Sequence, residues 1–222
     1  MSDDPMSDHR TTDDPASDVP APDVPPREEV AARYRRRADT FEATVRAAAD
    51  GNWSRPSPCT EWNARDVVRH IVDMHRVVLR PYDRADEPWP SVDDDPLAAF
   101  CAARAAVEEV LDDPGLAGQQ TQSPAGSMPG TQLVDGVVSA DLVLHRWDLA
   151  RATGQDDTID AGELARLWPG VLEIPDVMRV PGAFGPGVVV FGPIVPVPAD
   201  APVQDRTLGL LGRDPAWTPP AR

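Results

Sequence analysis

The sequence contains no lysine, and its 21 basic residues are all arginines. Acidic residues outnumber them, with 37 Asp and Glu, so the formal net charge is −16. A chain this acidic repels the phosphates of nucleic acids and the surfaces of anionic membranes. We therefore expect neither a nucleic acid nor a membrane surface among its partners.

Cysteines and long apolar runs are also scarce. The two cysteines, Cys59 and Cys101, are too few for a disulfide framework. The longest apolar candidate, residues 187–198, is short and interrupted by prolines, whereas a membrane-spanning helix needs about 20 apolar residues. The start of the sequence has no apolar core of the kind found in signal peptides. These features predict a cytoplasmic protein.

Aromatic residues make up only 5% of the chain, so the core is predicted to consist mainly of Ala, Val and Leu. Residues 1–26 contain seven Asp and six Pro and have almost nothing to bury, so we expect this acidic tail to be disordered. A helical domain is predicted at 27–156. A Pro- and Gly-rich extension at 157–222, with a short helix and an irregular segment, is expected to pack on that domain.

The first two helices are predicted from apolar spacing and from residues that favour helix ends. The first begins at Arg27 and stops at Gly51. The second begins after Asn63, a good N-cap residue, and carries one apolar stripe through "ARDVVRHIVDMHRVVLR".

Two further long helices follow. The third is predicted over 95–112, and the fourth over 131–152, with Gly154 as its C-terminal cap. A polar loop is expected between them, and a short fifth helix at 160–168. Four main helices joined in this way predict an all-α, antiparallel four-helix bundle.

A charged residue and an imidazole share the inner face of the fourth predicted helix. Asp141 and His145 are four residues apart, which places them about 40° from each other around a helix. Asp148 lies on the same face. On the second helix His70 belongs to the apolar stripe, whereas His75 lies about 140° further round and is expected on a different surface.

A buried carboxylate needs a partner, because desolvating an unpaired charge costs several kcal/mol. A divalent metal bound by His70, Asp141 and His145 would be such a partner; Zn²⁺ is favoured, and Ni²⁺ and Fe²⁺ are alternatives. Three protein ligands leave a coordination position open for water or substrate. Two other interpretations stay open: His70 as an ordinary core histidine, and the Asp141–His145 pair as an intrahelical hydrogen bond.

Three segments resemble a known family: "WSRPSPCTEWNARDVVRHIVDMH" at 53–75, "DLVLHRWDLARATGQD" at 141–156 and "QDRTLGLLGRDPAW" at 204–217. They are similar to actinobacterial metal-binding proteins of the DinB/YfiT-like superfamily, which are related to the N-terminal domain of mycothiol-dependent maleylpyruvate isomerase. The resemblance covers nearly everything from residue 28 to residue 219 and omits the acidic tail.

The resemblance implies a four-helix bundle that binds a divalent metal through positions matching His70, Asp141 and His145. The isomerase branch usually has Glu where this chain has Asp141, so the shorter side chain would ligate directly or through water. Related members are isomerases or transferases that use mycothiol or bacillithiol, with the metal lowering the pKa of the bound thiol. Mycothiol is therefore a candidate cosubstrate.

Five residues near this set have alternative interpretations. Asp148 either takes the second imidazole proton of a ligand histidine, or is an exposed helix acid, or pairs with Arg151. Trp62 and Trp147 either line a pocket or pack in the core. Cys59 is either a redox or ligand cysteine or a buried inert one. Glu61 is a candidate base or replacement ligand.

Two classes of function follow from these patterns. The leading hypothesis is a thiol-dependent isomerase or transferase that acts on a small electrophile at an open metal site. The alternative is a non-catalytic bundle that binds a metal or small ligand, as a sensor or stress protein would, or a bundle whose metal site has degenerated. The sequence predicts no particular oligomeric state.

Overall fold

The computed structural model of the chain describes residues 25–48, 52–123, 126–182 and 189–220. The acidic tail predicted to be disordered, residues 1–26, lies outside these ranges apart from its last two residues. The described residues are predominantly helical, as the sequence predicts. None of their helices combines the length and the apolar character that crossing a bilayer requires.

The α-helices are numbered in chain order as α1 (Arg27–Ala47), α2 (Ala64–Leu79), α3 (Pro96–Asp112), α4 (Pro114–Gly118), α5 (Gly130–Val134), α6 (Ala140–Thr153), α7 (Ala161–Leu172) and α8 (Val203–Leu210). A π-helical turn, Asp135–Ser139, joins α5 to α6, and 3₁₀ turns occupy Arg80–Tyr82 and Asp176–Arg179. Each of α1 and α2 packs against both α3 and α6, and α7 packs against α8.

Two apolar clusters hold these helices together. The larger lies among α1, α2, α3 and α6 and is mainly aliphatic, with the rings of Phe41 and Phe100 4.9 Å apart at its centre. The smaller joins Val143, Leu144 and Trp147 of α6 to side chains of α7, α8 and the segments beside them. Because α6 contributes to both clusters, most of its residues are buried, including polar ones.

The helix ends follow the predicted capping residues. The side-chain oxygen of Asn63 accepts hydrogen bonds from the backbone N–H groups of Arg65 and Asp66, and Asp66 accepts one from the Asn63 N–H in return. This reciprocal pair fixes where α2 begins. Gly154 ends α6 with a φ of 75°, a left-handed conformation that glycine adopts without steric cost.

The fourth helix predicted over 131–152 is present as α5, the π-helical turn and α6, but the sequence did not predict the π-helical turn within it. Asp135, the first residue of the turn, forms an ion pair of 2.7 Å with Arg33 of α1. Ser139, the last, accepts a hydrogen bond of 2.9 Å from Arg37, also of α1. These two contacts hold both ends of the π-helical turn against α1. A local sequence pattern does not reveal such contacts between distant residues.

The all-α prediction also misses a small hairpin in the expected polar loop. After α4, strand β1 (Gln120–Ser123) pairs antiparallel with β2 (Gly126–Pro129), with Thr121 opposite Met128. Each strand is only four residues long, and β1 is wholly polar, so they lack the apolar alternation that predicts a strand. The fifth predicted helix is present as α7, but it runs four residues further than residue 168.

His75 is fully buried and packs against Tyr34 and Phe100 of the larger cluster, so the prediction that it lies on a different surface from the apolar stripe of α2 is wrong. Its Nδ1 donates to the carbonyl oxygen of Ile71 at 2.7 Å, so Nε2 accepts from the Tyr34 hydroxyl at 2.8 Å. Burial, which outweighs the hydrogen bond to Ile71, lowers the pKa of His75 to about 4. The imidazole is therefore neutral at neutral pH and resists protonation until the solution is strongly acidic.

We expect His75 to make folding stability fall in mild acid. The unfolded chain takes up the proton near pH 6.5 and the folded chain does so near pH 4, so stability declines between these values. Between pH 7 and pH 5 the loss of unfolding free energy from this group is about 2 kcal/mol. Urea unfolding of wild type and of His75→Gln at both pH values measures it. An equal decline in both proteins would contradict the prediction.

Candidate metal centre

The three predicted ligands lie together between α2 and α6. The donor atoms of His70, Asp141 and His145 are all within 4.8 Å of one another. His70 Nε2 lies 3.3 Å from Asp141 Oδ2, and the ring centroids of His70 and His145 are 4.6 Å apart. The structure thus brings His70 next to a pair that is 71 residues away in the sequence.

This cluster is open to solvent on one side only. The side chains of His70 and Asp141 are 28% and 31% exposed, whereas that of His145 is 6% exposed. The buried histidine therefore forms the inner wall of the cluster, and the other two residues form its mouth. A small molecule could approach through that mouth without any rearrangement of the core.

Asp148 contacts the inner histidine and is not the exposed helix acid of the alternative interpretation. Its Oδ2 lies 2.9 Å from His145 Nδ1, and its side chain is fully buried. The direction between the two atoms departs from that of a well-formed hydrogen bond, so the contact is chiefly electrostatic. With Nδ1 facing Asp148, Nε2 is the ring nitrogen of His145 left for a metal.

Arg213 is the second partner of Asp148, and the sequence did not predict it. Arg213 Nη2 lies 3.1 Å from Asp148 Oδ2, and Arg213 Nε lies 3.4 Å from Oδ1. Burial alone would raise the pKa of Asp148, but the charge of Arg213 and the contact with His145 outweigh it and hold that pKa far below its ordinary value. Asp148 is therefore an ionised carboxylate at neutral pH.

Cys59, from the loop before α2, completes the surroundings of this carboxylate. Its thiol donates to Asp148 Oδ2 at 3.3 Å, and its sulfur accepts from Arg213 Nη2 at the same distance. Burial and the negative charge of Asp148 raise the pKa of the Cys59 thiol far above its ordinary value. Cys59, His145 and Asp148 also form a compact donor set, but the guanidinium of Arg213 already serves as its cation.

The two tryptophans named in the sequence analysis have different roles. The Trp62 ring lies 5.0 Å from that of His70 and stacks 5.9 Å from that of His145. It also lines an open groove of about 430 Å³ that contains Cys59. Trp147 is fully buried in the smaller apolar cluster, so its role is packing. Glu61 is exposed and lies outside both donor sets of the described residues.

Comparison with known proteins now connects this geometry to a family. Residues 34–150 match the mycothiol maleylpyruvate isomerase N-terminal domain. The chain belongs to this family. Two uncharacterized proteins of Mycobacterium tuberculosis, from strains CDC 1551 / Oshkosh and ATCC 25618 / H37Rv, are each 32% identical to it over 182 residues. Each alignment covers 81% of this chain and 95% of the relative, and no solved structure matches the chain.

Membership of the mycothiol maleylpyruvate isomerase N-terminal domain family confirms the resemblance inferred from the three sequence segments. The matched region contains His70, Asp141, His145 and Asp148, and it ends before Arg213. The guanidinium that neutralises Asp148 therefore comes from a part of the chain beyond the matched domain. Arg213 lies in the segment 204–217 that resembles the family, but the sequence did not predict its contact with Asp148, which is 65 residues away along the chain.

The donor set suits a zinc ion in composition and spacing. Zinc bonds of about 2.1 Å place the ligand atoms of a tetrahedral site about 3.4 Å apart. The 3.3 Å between His70 Nε2 and Asp141 Oδ2 is close to that edge length, so the short aspartate reaches far enough. A carboxylate beside the second ring nitrogen, as Asp148 is beside His145 Nδ1, is the arrangement that orients a zinc-bound histidine in other proteins.

A second cavity, of about 390 Å³, lies on another side of α6 and does not include the donor set. Arg36 and Arg37 of α1, Leu142 of α6 and Glu163 of α7 are among its lining residues. None of the three predicted ligands contributes to its wall, and none lines the groove beside Trp62. The convergence of the donor atoms, not a cavity, therefore identifies the candidate site.

We expect Asp148→Asn to destabilise the fold severely, because it leaves the nine-tenths buried guanidinium of Arg213 without its negative partner. Breaking a buried pair in this way costs about 3–5 kcal/mol. Urea unfolding at pH 7 measures the loss. Asp93→Asn is the matched control, since Asp93 pairs with Arg69 on the surface, and it should leave stability nearly unchanged. Equal losses in the two variants would contradict the prediction.

Proposed function

We propose that this protein binds a divalent metal, with Zn²⁺ preferred, through His70, Asp141 and His145, within a DinB-like bundle of α1, α2, α3 and α6. The observation that carries the proposal is the convergence of two imidazoles and a carboxylate from two distant segments. This donor set is one that zinc, nickel and iron sites share. The family description adds the expectation of a mycothiol-related role.

We further propose that the centre activates a thiol, as in a thiol-dependent isomerase or transferase acting on a small electrophile. When bound, the metal would offer an open position to the thiol and lower its pKa. The partial exposure of His70 and Asp141 supports access from solvent. The buried Asp148 carboxylate, which faces Nδ1 of His145, would hold the proton on Nδ1 and leave Nε2 as the ligand atom.

The surroundings of Cys59 favour an external thiol over an internal one. Its thiol donates to Asp148, and the raised pKa keeps it protonated, so it is a poor nucleophile. The other cysteine, Cys101, lies on α3, a helix that contributes no donor to the centre. Mycothiol, which the family description names, is therefore the thiol we propose.

Maleylpyruvate, also named in the family description, is the first electrophile to consider. A thiolate can add to one carbon of its conjugated cis double bond and place the electron pair on the carbonyl oxygen as an enolate. Rotation about the new single bond and expulsion of the thiolate restore a trans double bond. Neither thiol nor electrons are consumed, so the net reaction is an isomerisation.

Metal analysis tests the centre directly. We expect wild type purified without an affinity tag to contain about one metal ion per chain, and His70→Ala or His145→Ala to lose it, since two remaining ligands bind weakly. His75→Gln is the matched control, because His75 is on the same helix as His70 but outside the donor set. Circular dichroism checks that each variant is folded. Absence of metal in wild type, or its retention in both alanine variants, would sink the proposal.

A turnover assay tests the thiol chemistry. Metal-loaded protein with mycothiol should convert maleylpyruvate or a related electrophile, and omission of either mycothiol or metal should abolish turnover. Cys101→Ser, which alters a cysteine away from the centre, should turn over at the wild-type rate. Stoichiometric metal without turnover across a panel of electrophiles would refute the catalytic proposal and favour a non-catalytic metal-binding protein.

A further inference from the structure

The inner side of the candidate metal centre is closed by a residue from near the C-terminal end of the described chain. Arg213 lies three residues beyond α8, and its side chain is nine-tenths buried. It reaches both carboxylate oxygens of Asp148, Oδ1 through Nε and Oδ2 through Nη2. A two-point contact of this kind fixes the plane of a carboxylate as well as its distance.

The backbone after α8 directs Arg213 inward. Gly212 has a φ of 79°, a left-handed conformation, and the Arg213 N–H donates to the carbonyl oxygen of Leu208 at 2.9 Å. Gly212 also packs on Gly192 so closely that a Cβ at position 212 would come within 2.8 Å of the Gly192 Cα. This turn therefore requires glycine, and it orients the following side chain toward α6.

Asp148 links Arg213 to His145, a proposed metal ligand. Asp148 Oδ2, held by Arg213, lies 2.9 Å from His145 Nδ1. Cys59 donates to the same oxygen, and its sulfur also contacts Arg213. The carboxylate that faces the histidine thus has its orientation set by residues from two other segments of the chain.

We propose that Arg213 is a positioning residue of the metal centre. It fixes the Asp148 carboxylate, which in turn fixes the ring orientation and the Nδ1-protonated form of His145, so that Nε2 is presented toward His70 and Asp141. The inference rests on the proposed function insofar as His145 is a ligand. It assigns the segment after α8 a part in metal binding, although the family match ends at residue 150.

Zinc affinity in Arg213 variants tests this role. Arg213→Met removes the charge, and Arg213→Lys keeps it but loses the two-point contact. We expect Arg213→Met to weaken zinc binding by about 10–100-fold, the range typical of residues that support metal ligands, and Arg213→Lys to weaken it less. Competition with a chelator of known affinity gives the dissociation constants.

Arg104→Met is the matched control. Arg104, on α3, is also largely buried and forms ion pairs with Asp39, Glu42 and Glu108, but it has no contact with the donor set. Its zinc affinity should stay within about twofold of wild type, because distant sites act independently. A purely structural role for Arg213 would lower stability in the Arg213 and Arg104 variants alike and leave zinc affinity unchanged.

A second measurement does not depend on metal. Imidazole ¹⁵N chemical shifts of His145 in metal-free protein at pH 7.5 report which ring nitrogen carries the proton. We expect a single Nδ1-protonated form in wild type and in Arg104→Met, and a mixture of both neutral forms in the Arg213 variants. If Arg213→Met does not fold, Arg213→Lys decides the test.

The possible results separate the two proposals. Zinc affinity within twofold of wild type in a folded Arg213 variant, with an unchanged His145 spectrum, would overturn the positioning role while leaving the metal centre intact. If wild type binds no zinc, the proposed function fails, and the ¹⁵N spectra alone decide whether Arg213 positions His145. A shift to mixed forms supports it, and an unchanged spectrum overturns it.

Discussion

An ionised carboxylate in a dry interior is stable only where several donors surround it, and Asp148 imposes that constraint on this fold. Its side chain is fully buried, and its partners come from three places: His145 from the same helix, Cys59 from the loop before α2, and Arg213 from the segment after α8. The need to neutralise one charge therefore joins parts of the chain that share no secondary structure. The loop before α2 and the C-terminal segment are both held against α6 in this way.

The candidate metal centre lies at the edge of that buried network. Its inner residue, His145, contacts Asp148, and its outer residues, His70 and Asp141, are partly exposed. The cluster is buried on the side of His145 and accessible on the side of His70 and Asp141. A metal site with an exchangeable position needs both kinds of side. The buried side orients the ligands, and the accessible side admits a small molecule. The ring of Trp62 packs beside both histidines of the cluster.

The sequence predicts the parts of this site that depend on local geometry. Asp141 and His145 share a face because both follow the π-helical turn, so the four-residue spacing is that of an ordinary helix. His70 is predicted through the apolar stripe of α2, which has to face the core. Arg213 could not be predicted, because its contact depends on how a distant segment folds back, and no periodicity encodes that. For the same reason the π-helical turn, which contacts with α1 stabilise, and the polar hairpin escaped prediction.

Because the sequence contains no lysine, the positive partner in its buried ion pairs is always arginine, which keeps its charge to a higher pH than lysine would. A lysine ammonium loses its proton near pH 10.4, whereas a guanidinium stays charged beyond pH 12. Arg213 beside Asp148 and Arg33 beside Asp135 thus keep their positive charge throughout the alkaline range, and neither offers an amine for acetylation. Neither alkaline pH nor lysine-modifying enzymes therefore remove the positive charge from these two links.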